Sequence, residues 1–371
     1  MISEECFSRE YMREQCATLE IGESRIVQVE KSIHALALLG HLTKTDLSFI
    51  FKGGTSLLLH LPRIKRLSID VDIMSDASDK DLEEIIDQIS VLPPFIRYEK
   101  QNRGERGQPE RRHFKLFYKS AIENQERNIL LDVVPQNGCN LTCIEKPINT
   151  EFISVKEEVL VTLPIMEALL GDKLTAFAPH TIGVKWLGAD DRSMAMQVVK
   201  QLFDVGELFN EVQNLDAVRD AYLESYRLEN DWRGGNHLVQ DVLVDTKNVA
   251  LQLCCLGLDY ESEDAVIIGY LQKGITRLRN HLIRDPFREN NEAKIAAAKV
   301  YLLASYLEGS IDLTADQLSF DLDTQRDFIQ TTNITDPSCL NRLKPILPEA
   351  FYYLALAFGA SVTEIALVEG N

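Results

Sequence analysis

Two short stretches hold the residues with most chemical reach: Lys52-Gly53-Gly54-Thr55 and Ser68-Ile69-Asp70-Val71-Asp72. Alternate side chains of a β-strand share a face. A strand over residues 67–74 therefore turns Ile69, Val71 and Ile73 into a core and sets Asp70 and Asp72 side by side on the opposite face. Neighbouring carboxylates repel and raise each other's pKa unless a cation neutralises them. Mg2+ suits such a place, because it takes oxygen ligands and is commonly held by one or two carboxylates plus substrate phosphates. The paired glycines let a backbone approach a phosphate closely, and the first amides of a helix starting there point toward an anion. Thr55 or Ser56 can add a hydroxyl. A plain strand-to-helix turn with Thr55 as N-cap needs no ligand, but leaves the acids unexplained. A third acid, Asp132, interrupts the apolar run Ile129-Leu130-Leu131-Asp132-Val133-Val134, where a carboxylate is costly unless paired or metal-bound. The expectation is a site for a nucleoside triphosphate with Mg2+ on Asp70, Asp72 and Asp132.

The elements that must position these groups follow from periodicity. Residues 24–39 have helical spacing, and the apolar run 47–51 reads as a strand entering the glycine turn. A short helix over 55–61 ends at Pro62, and a second helix over 80–91 ends before Pro93-Pro94. Further strands are expected at 95–99, 113–118 and 129–134, the first two paired across a charged loop at 100–112. Helix and strand thus alternate over residues 20–160, as in an α+β domain. After Pro164 the pattern is helical, with helices over 165–177, 194–210 and 288–307 and a polar surface helix or linker at 312–337. The expected division is an α+β core at 1–160, helices completing the site at 161–211, and a helical domain at 212–371.

With 371 residues, 45% hydrophobic and 26% charged, the chain is an ordinary globular protein. Its net charge of −18 argues against non-specific coating of nucleic acid. Residues 205–371, with 14 basic and 26 acidic side chains, carry most of that excess. Seven cysteines form no disulfide framework in a chain this long. The spacing Cys139-x-x-x-Cys143 has no companion pair, so buried free thiols are expected. The apolar runs 248–258 and 351–360 are too short to span a bilayer, and no signal-peptide pattern is present. A cytoplasmic protein without membrane attachment is expected. No histidine stands with Ser or Cys in a nucleophile pattern.

The Lys52-Gly53-Gly54-Thr55 and Ser68-x-Asp70-x-Asp72 segments resemble the polymerase-β-type nucleotidyltransferases, and more narrowly the AbiEii/AbiGii toxin family. Gly171-Asp172-Lys173-Leu174 and Lys200-Gln201-Leu202-Phe203-Asp204 are similar to that family's later helical motifs. Lys200 stands where arginine is usual, and Gln201 replaces an acid; lysine keeps the charge without the bidentate fork. The resemblance extends over about residues 25–210. It implies a polymerase-β-like core with a mixed sheet, followed by a mainly helical C-terminal domain. It further implies two Mg2+ ions on Asp70, Asp72 and Asp132, with Asp132 also receiving the acceptor's proton. Lys52, Gly53, Gly54, Thr55, Ser56 and Ser68 would bind the nucleotide, Lys173 would neutralise phosphate charge, and Asp204 would orient Lys173. The implied reaction moves a nucleoside monophosphate from an NTP to a hydroxyl, on a tRNA 3′ end or a protein, with release of pyrophosphate. The implied biology is growth arrest or phage defence, with a cognate antitoxin as partner.

Other readings stay open at this level. On spacing alone, Lys173 also reads as a solvated helix lysine paired with Asp172 or Glu167, and Asp204 as a helix-surface or capping carboxylate. Residues 97–119 carry eight basic and three acidic side chains, with Tyr98, Phe114, Phe117 and Tyr118 interleaved. Such a segment either guides a nucleic acid or is a solvated hairpin with its aromatics in the core. A small-molecule acceptor, or an inactive nucleotide-binding scaffold, are the alternative functions.

Overall fold

The computed structural model describes residues 1–101, 111–283 and 290–360. The chain divides into two units. The first comprises Met1–Leu169, Arg227–Gly235 and Arg279–Pro286; the second comprises Leu170–Tyr226, Asn236–Leu278 and Phe287–Asn371.

In the first unit, helices α1 (Arg9–Thr18) and α2 (Ile26–Leu42) precede strand β1 (Ile50–Lys52), helix α3 (Gly53–His60), strand β2 (Val71–Met74) and helix α4 (Asp79–Ser90). Strands β3 (Phe95–Gln101), β4 (Arg112–Lys119), β5 (Glu126–Val134), β6 (Cys143–Pro147) and β7 (Leu160–Pro164) follow. A five-stranded sheet has the order β1-β2-β5-β4-β3, in which β2 and β5 are parallel and the other pairs antiparallel. This is the mixed sheet expected of the α+β core. Strands β6 and β7 form a separate antiparallel pair that the periodicity of the sequence does not reveal.

Helix α2 is apolar on nearly every side and is correspondingly buried. Its Val29, Ile33 and Leu36 share one core with Val71 and Ile73 of β2 and with Ile129, Leu131 and Val133 of β5. Strict alternation along β5 buries those three residues and leaves Asp132 on the opposite face. Helix α4 opens with Ser78, whose Oγ accepts the Asp81 amide at 3.2 Å, so its first-turn acids meet the positive helix end.

The acidic strand is shorter than expected. β2 begins at Val71, and residues 67–70 lie outside the ladder. Their carbonyls are taken by side chains: Ser68 O accepts Ser32 Oγ at 2.7 Å, and Asp70 O accepts Thr55 Oγ1.

Two buried histidines make this unit sensitive to acid. His34 Nδ1 donates to Glu30 O at 2.7 Å and its ring stacks on Tyr118 at 3.6 Å. His60 Nε2 donates to Pro164 O at 2.9 Å. Burial pushes each imidazole down to about 4, with nearby Lys146 adding to the effect at His60. The unfolded chain therefore takes up the proton first. Stability is full above the ordinary value of 6.5 and falls as the pH drops from there to about 4, on the order of 3 kcal/mol for each histidine. Urea unfolding of the wild type and His34→Gln at pH 7.5 and 4.5 should show a smaller pH-dependent loss in the variant; equal losses refute the account.

The described part of the second unit is helical. Helix α5 (Met166–Ala176) begins in the first unit and continues into the second, where α6 (Ala195–Phe209) follows. Then come α7 (Leu215–Trp232), whose residues from Arg227 belong to the first unit, α8 (Val239–Cys255), α9 (Ala265–Arg279), whose last residue also belongs to the first unit, α10 (Asn290–Glu308), α11 (Leu322–Thr331) and α12 (Pro348–Ala357). Helix α10 lies against α6, α8 and α12, its alanines 293, 296, 297 and 298 buried. The polar stretch 312–337 contains α11. All seven cysteines are free, and no described helix is long and apolar enough to cross a membrane.

Candidate functional site

Register assembles the first part of the site. Lys52 on β1 pairs with Asp72 on β2, Asp72 with Asp132 on β5, and Asp132 with His113 on β4. In-register residues share a face, with adjacent strands about 4.8 Å apart. Lys52, Asp72, Asp132 and His113 thus form one polar row across four strands, over a sheet whose other face is core. Asp70 precedes this row by two residues, just outside the strand, and is half-buried like Asp72 and Asp132.

The glycine turn closes on the same row. Gly53 has φ +76°, a conformation that side chains disfavour, and a Cβ there would lie 2.7 Å from Asp72 Cγ and 2.8 Å from Asp72 Cβ. At Gly54 an added Cβ would meet Arg66 Nη2 at 2.6 Å and Ser68 Oγ at 3.1 Å. The turn is therefore packed against Asp72 on one side and against buried Arg66 and Ser68 on the other. In the sequence Arg66 reads as one of three basic residues between the glycine turn and the acidic strand, with Arg63 and Lys65, and its packing against the turn is not visible there. Helix α3 starts at Gly53 itself, with Lys52 as its N-cap residue, in place of a start at Thr55. Its first-turn amides lack partners within the helix.

Thr55 and Ser56 are fully buried. Thr55 Oγ1 donates to Asp70 O, and Ser56 Oγ donates to Gly53 O at 2.7 Å. Both hydroxyls thus brace the turn and the acidic segment from behind. The Gly53→Ala variant combines a strained φ with a collision on a carboxylate that must stay in place, so a loss of about 1–3 kcal/mol is expected. Gly54→Ala has no left-handed φ to strain and meets the end of the Arg66 side chain, so it should cost less. Thermal unfolding of both variants checks the order; equal costs would show that Asp72 yields freely.

Lys173 and Asp204 come together within the second unit. Lys173 Nζ lies 3.3 Å from Asp204 Oδ2, both side chains being almost completely removed from solvent. This overturns the readings of a solvated lysine and a surface or capping carboxylate. Lys200, one helical turn before Asp204 on α6, is half-buried, as is Gln201.

The basic segment is also decided where it is described. Phe114, Phe117 and Tyr118 are in the core. Arg97 lies over the Phe117 ring at 3.5 Å and pairs with Glu99 and Glu126 at 2.6 and 2.8 Å. Lys100 pairs with Asp79 and Glu83, and Arg112 with Asp79. The hairpin reading holds for these residues in place of the stacking platform; residues 102–110 of that loop lie outside the described ones.

The donor set suits Mg2+. Asp70, Asp72 and Asp132 offer only hard carboxylate oxygens. Among the described residues no three His, Cys, Asp or Glu side chains already converge as ligands on one point. Mg2+ does not demand that, since it keeps several waters and needs only one or two protein carboxylates beside phosphate oxygens.

The family model described as nucleotidyl transferase AbiEii toxin of type IV toxin–antitoxin systems matches residues 37–299. No functionally curated protein matches the chain. Among solved structures, the chain is similar to MenT4, a nucleotidyltransferase toxin of Mycobacterium tuberculosis, with TM-score 0.49 and 17% identity over 92% of this chain and 98% of that one. JHP933 of Helicobacter pylori gives TM-score 0.42 and 14% identity over 78% and 96%. The family match spans well over half of the sequence, and the protein belongs to the AbiEii nucleotidyltransferase toxins of type IV toxin–antitoxin systems.

Proposed function

We propose that the chain transfers a nucleoside monophosphate from an NTP to a hydroxyl in a Mg2+-dependent reaction, and that Asp70, Asp72 and Asp132 hold the metal. The observation that carries this reading is the register of Asp72 with Asp132 on adjacent parallel strands, beside the Gly53-Gly54 turn. Bound there, Mg2+ would neutralise phosphate charge and make the acceptor hydroxyl more acidic. The chain's own groups then have distinct tasks. Amides of the α3 first turn and Lys52 bind the triphosphate oxygens, and Ser68 braces the turn beneath them. The acceptor oxygen bonds to the α-phosphorus, the bond from that phosphorus to the bridging oxygen breaks, and pyrophosphate departs with its electron pair. Asp132 receives the hydroxyl proton. The family resemblance would give Lys173, held by Asp204 in the second unit, the task of neutralising phosphate charge.

The acceptor favoured by this reading is a macromolecular hydroxyl, a tRNA 3′ end or a protein side chain, and growth arrest or phage defence countered by a cognate antitoxin is its consequence. Incubation with α-labelled NTPs, Mg2+, total RNA and cell protein tests it. Label in tRNA or protein supports the proposal; label only in added small alcohols points to the antibiotic-type alternative. Asp70→Ala should remove transfer by more than about 100-fold while the fold persists. Transfer at the wild-type rate in that variant would refute the metal assignment.

A further inference from the structure

His113 has no part in the sequence reading, yet it completes the polar row. Its Nδ1 lies 2.6 Å from Asp132 Oδ1, and the residue is 8% exposed. An ionised carboxylate only accepts hydrogen bonds, so Nδ1 carries the hydrogen and donates it. The pairing is set by the ladder, since His113 and Asp132 are register partners on β4 and β5. One carboxylate oxygen of Asp132 is thereby committed to the imidazole.

We propose that His113 is a positioning residue for Asp132: it fixes the rotation of the carboxylate so that Oδ2 is kept for the site. The inference rests on the reading of Asp132 as a metal-binding and proton-accepting group. Two features favour it over a histidine that merely satisfies the core. First, the partner is Asp132, whose neighbour in the row, Asp72, is itself a candidate ligand. A freely rotating Asp132 would present either oxygen or both, and a group mispositioned by an ångström loses much of its catalytic value. Second, an imidazole orients a carboxylate without the permanent charge that a lysine or arginine would set beside a cation site. Hydrogen-bonding partners of metal ligands typically contribute about 10–100-fold to metal affinity or activity.

Side-chain length separates positioning from packing. The amide nitrogen of asparagine matches the place of imidazole Nδ1, whereas that of glutamine reaches one carbon farther. His113→Asn should keep transfer and Mn2+ affinity, followed by electron paramagnetic resonance with Mn2+ alone, within about threefold of wild type. His113→Gln and His113→Phe should lose about 10–100-fold in kcat or in Mn2+ affinity, with the NTP KM changed far less. Thermal unfolding of each variant separates a folding defect from these effects. Equal behaviour of the Asn and Gln variants, or unchanged kcat and Mn2+ affinity in His113→Phe, overturns the assignment. Asp132→Asn is the control. Wild-type transfer in that variant would count against the reading of Asp132 itself, whereas its inactivity beside fully active His113 variants would count against His113 alone.

Discussion

Asp72→Asn is expected to lower nucleotidyl transfer by about 10^3-fold or more while leaving the fold intact. The substitution preserves shape and removes one charge. Asp72 is flanked in the polar row by Lys52, in register on β1, and by Asp132 on β5. Its carboxylate also abuts Gly53 so closely that no side chain fits between them. A metal ion's charge stabilisation of the transition state amounts to several kcal/mol, and each 1.36 kcal/mol is tenfold in rate. Added Mg2+ should raise the melting temperature of the wild type and not of the variant, because only a chain that binds the ion gains from it. Scanning fluorimetry with and without Mg2+, beside the transfer assay, reads both effects. A variant that transfers within tenfold of wild type and keeps the Mg2+ shift would remove Asp72 from the metal site.

How far these groups can be seen in the sequence depends on how local their cause is. Strand β5 and helix α4 follow from two-residue and 3.6-residue periodicity, and Gly53-Gly54 followed by Asp70 and Asp72 is a local pattern. The start of β2 is not, because the carbonyls of Ser68 and Asp70 are bonded by Ser32 and Thr55 from other elements. Helix α1 buries only Met12 and Cys16, too thin a stripe to stand out. Strand β6 is Cys-Ile-Glu-Lys-Pro, without alternation, and pairs with β7 across twelve residues. The His113–Asp132 bond needs the register of two strands, which nothing at either residue announces. Burial of Asp204 was hidden in the same way. Its helix carries Leu202, Phe203, Val205 and Leu208 around it, and a helix packed on most sides has no safe polar face to read from spacing.

Lys173→Met is expected to destabilise the second unit by about 3–5 kcal/mol, as removal of one member of a buried ion pair leaves the other charge in a low-dielectric interior. Asp204 is 0% exposed and Lys173 5% exposed, so neither recovers hydration by a small movement. Asp204→Asn should cost a similar amount for the same reason, with the ammonium now the stranded charge. The double variant is the informative one. Replacing both charges together removes the desolvation cost of each, and buried pairs exchanged for neutral groups are often no less stable than the original. Lys173→Met/Asp204→Asn should therefore recover most of the lost stability, giving a coupling energy of 0.5–3 kcal/mol or more in a double-mutant cycle followed by urea unfolding. Single-variant losses that simply add would show that the two side chains do not stabilise one another. Transfer activity then separates structure from chemistry. If the pair serves only to hold α5 against α6, the double variant regains transfer along with folding. A lysine that acts on phosphate cannot be replaced by methionine at any stability, so a folded but inactive double variant marks Lys173 as part of the transferase machinery, and a folded, active one ends that assignment.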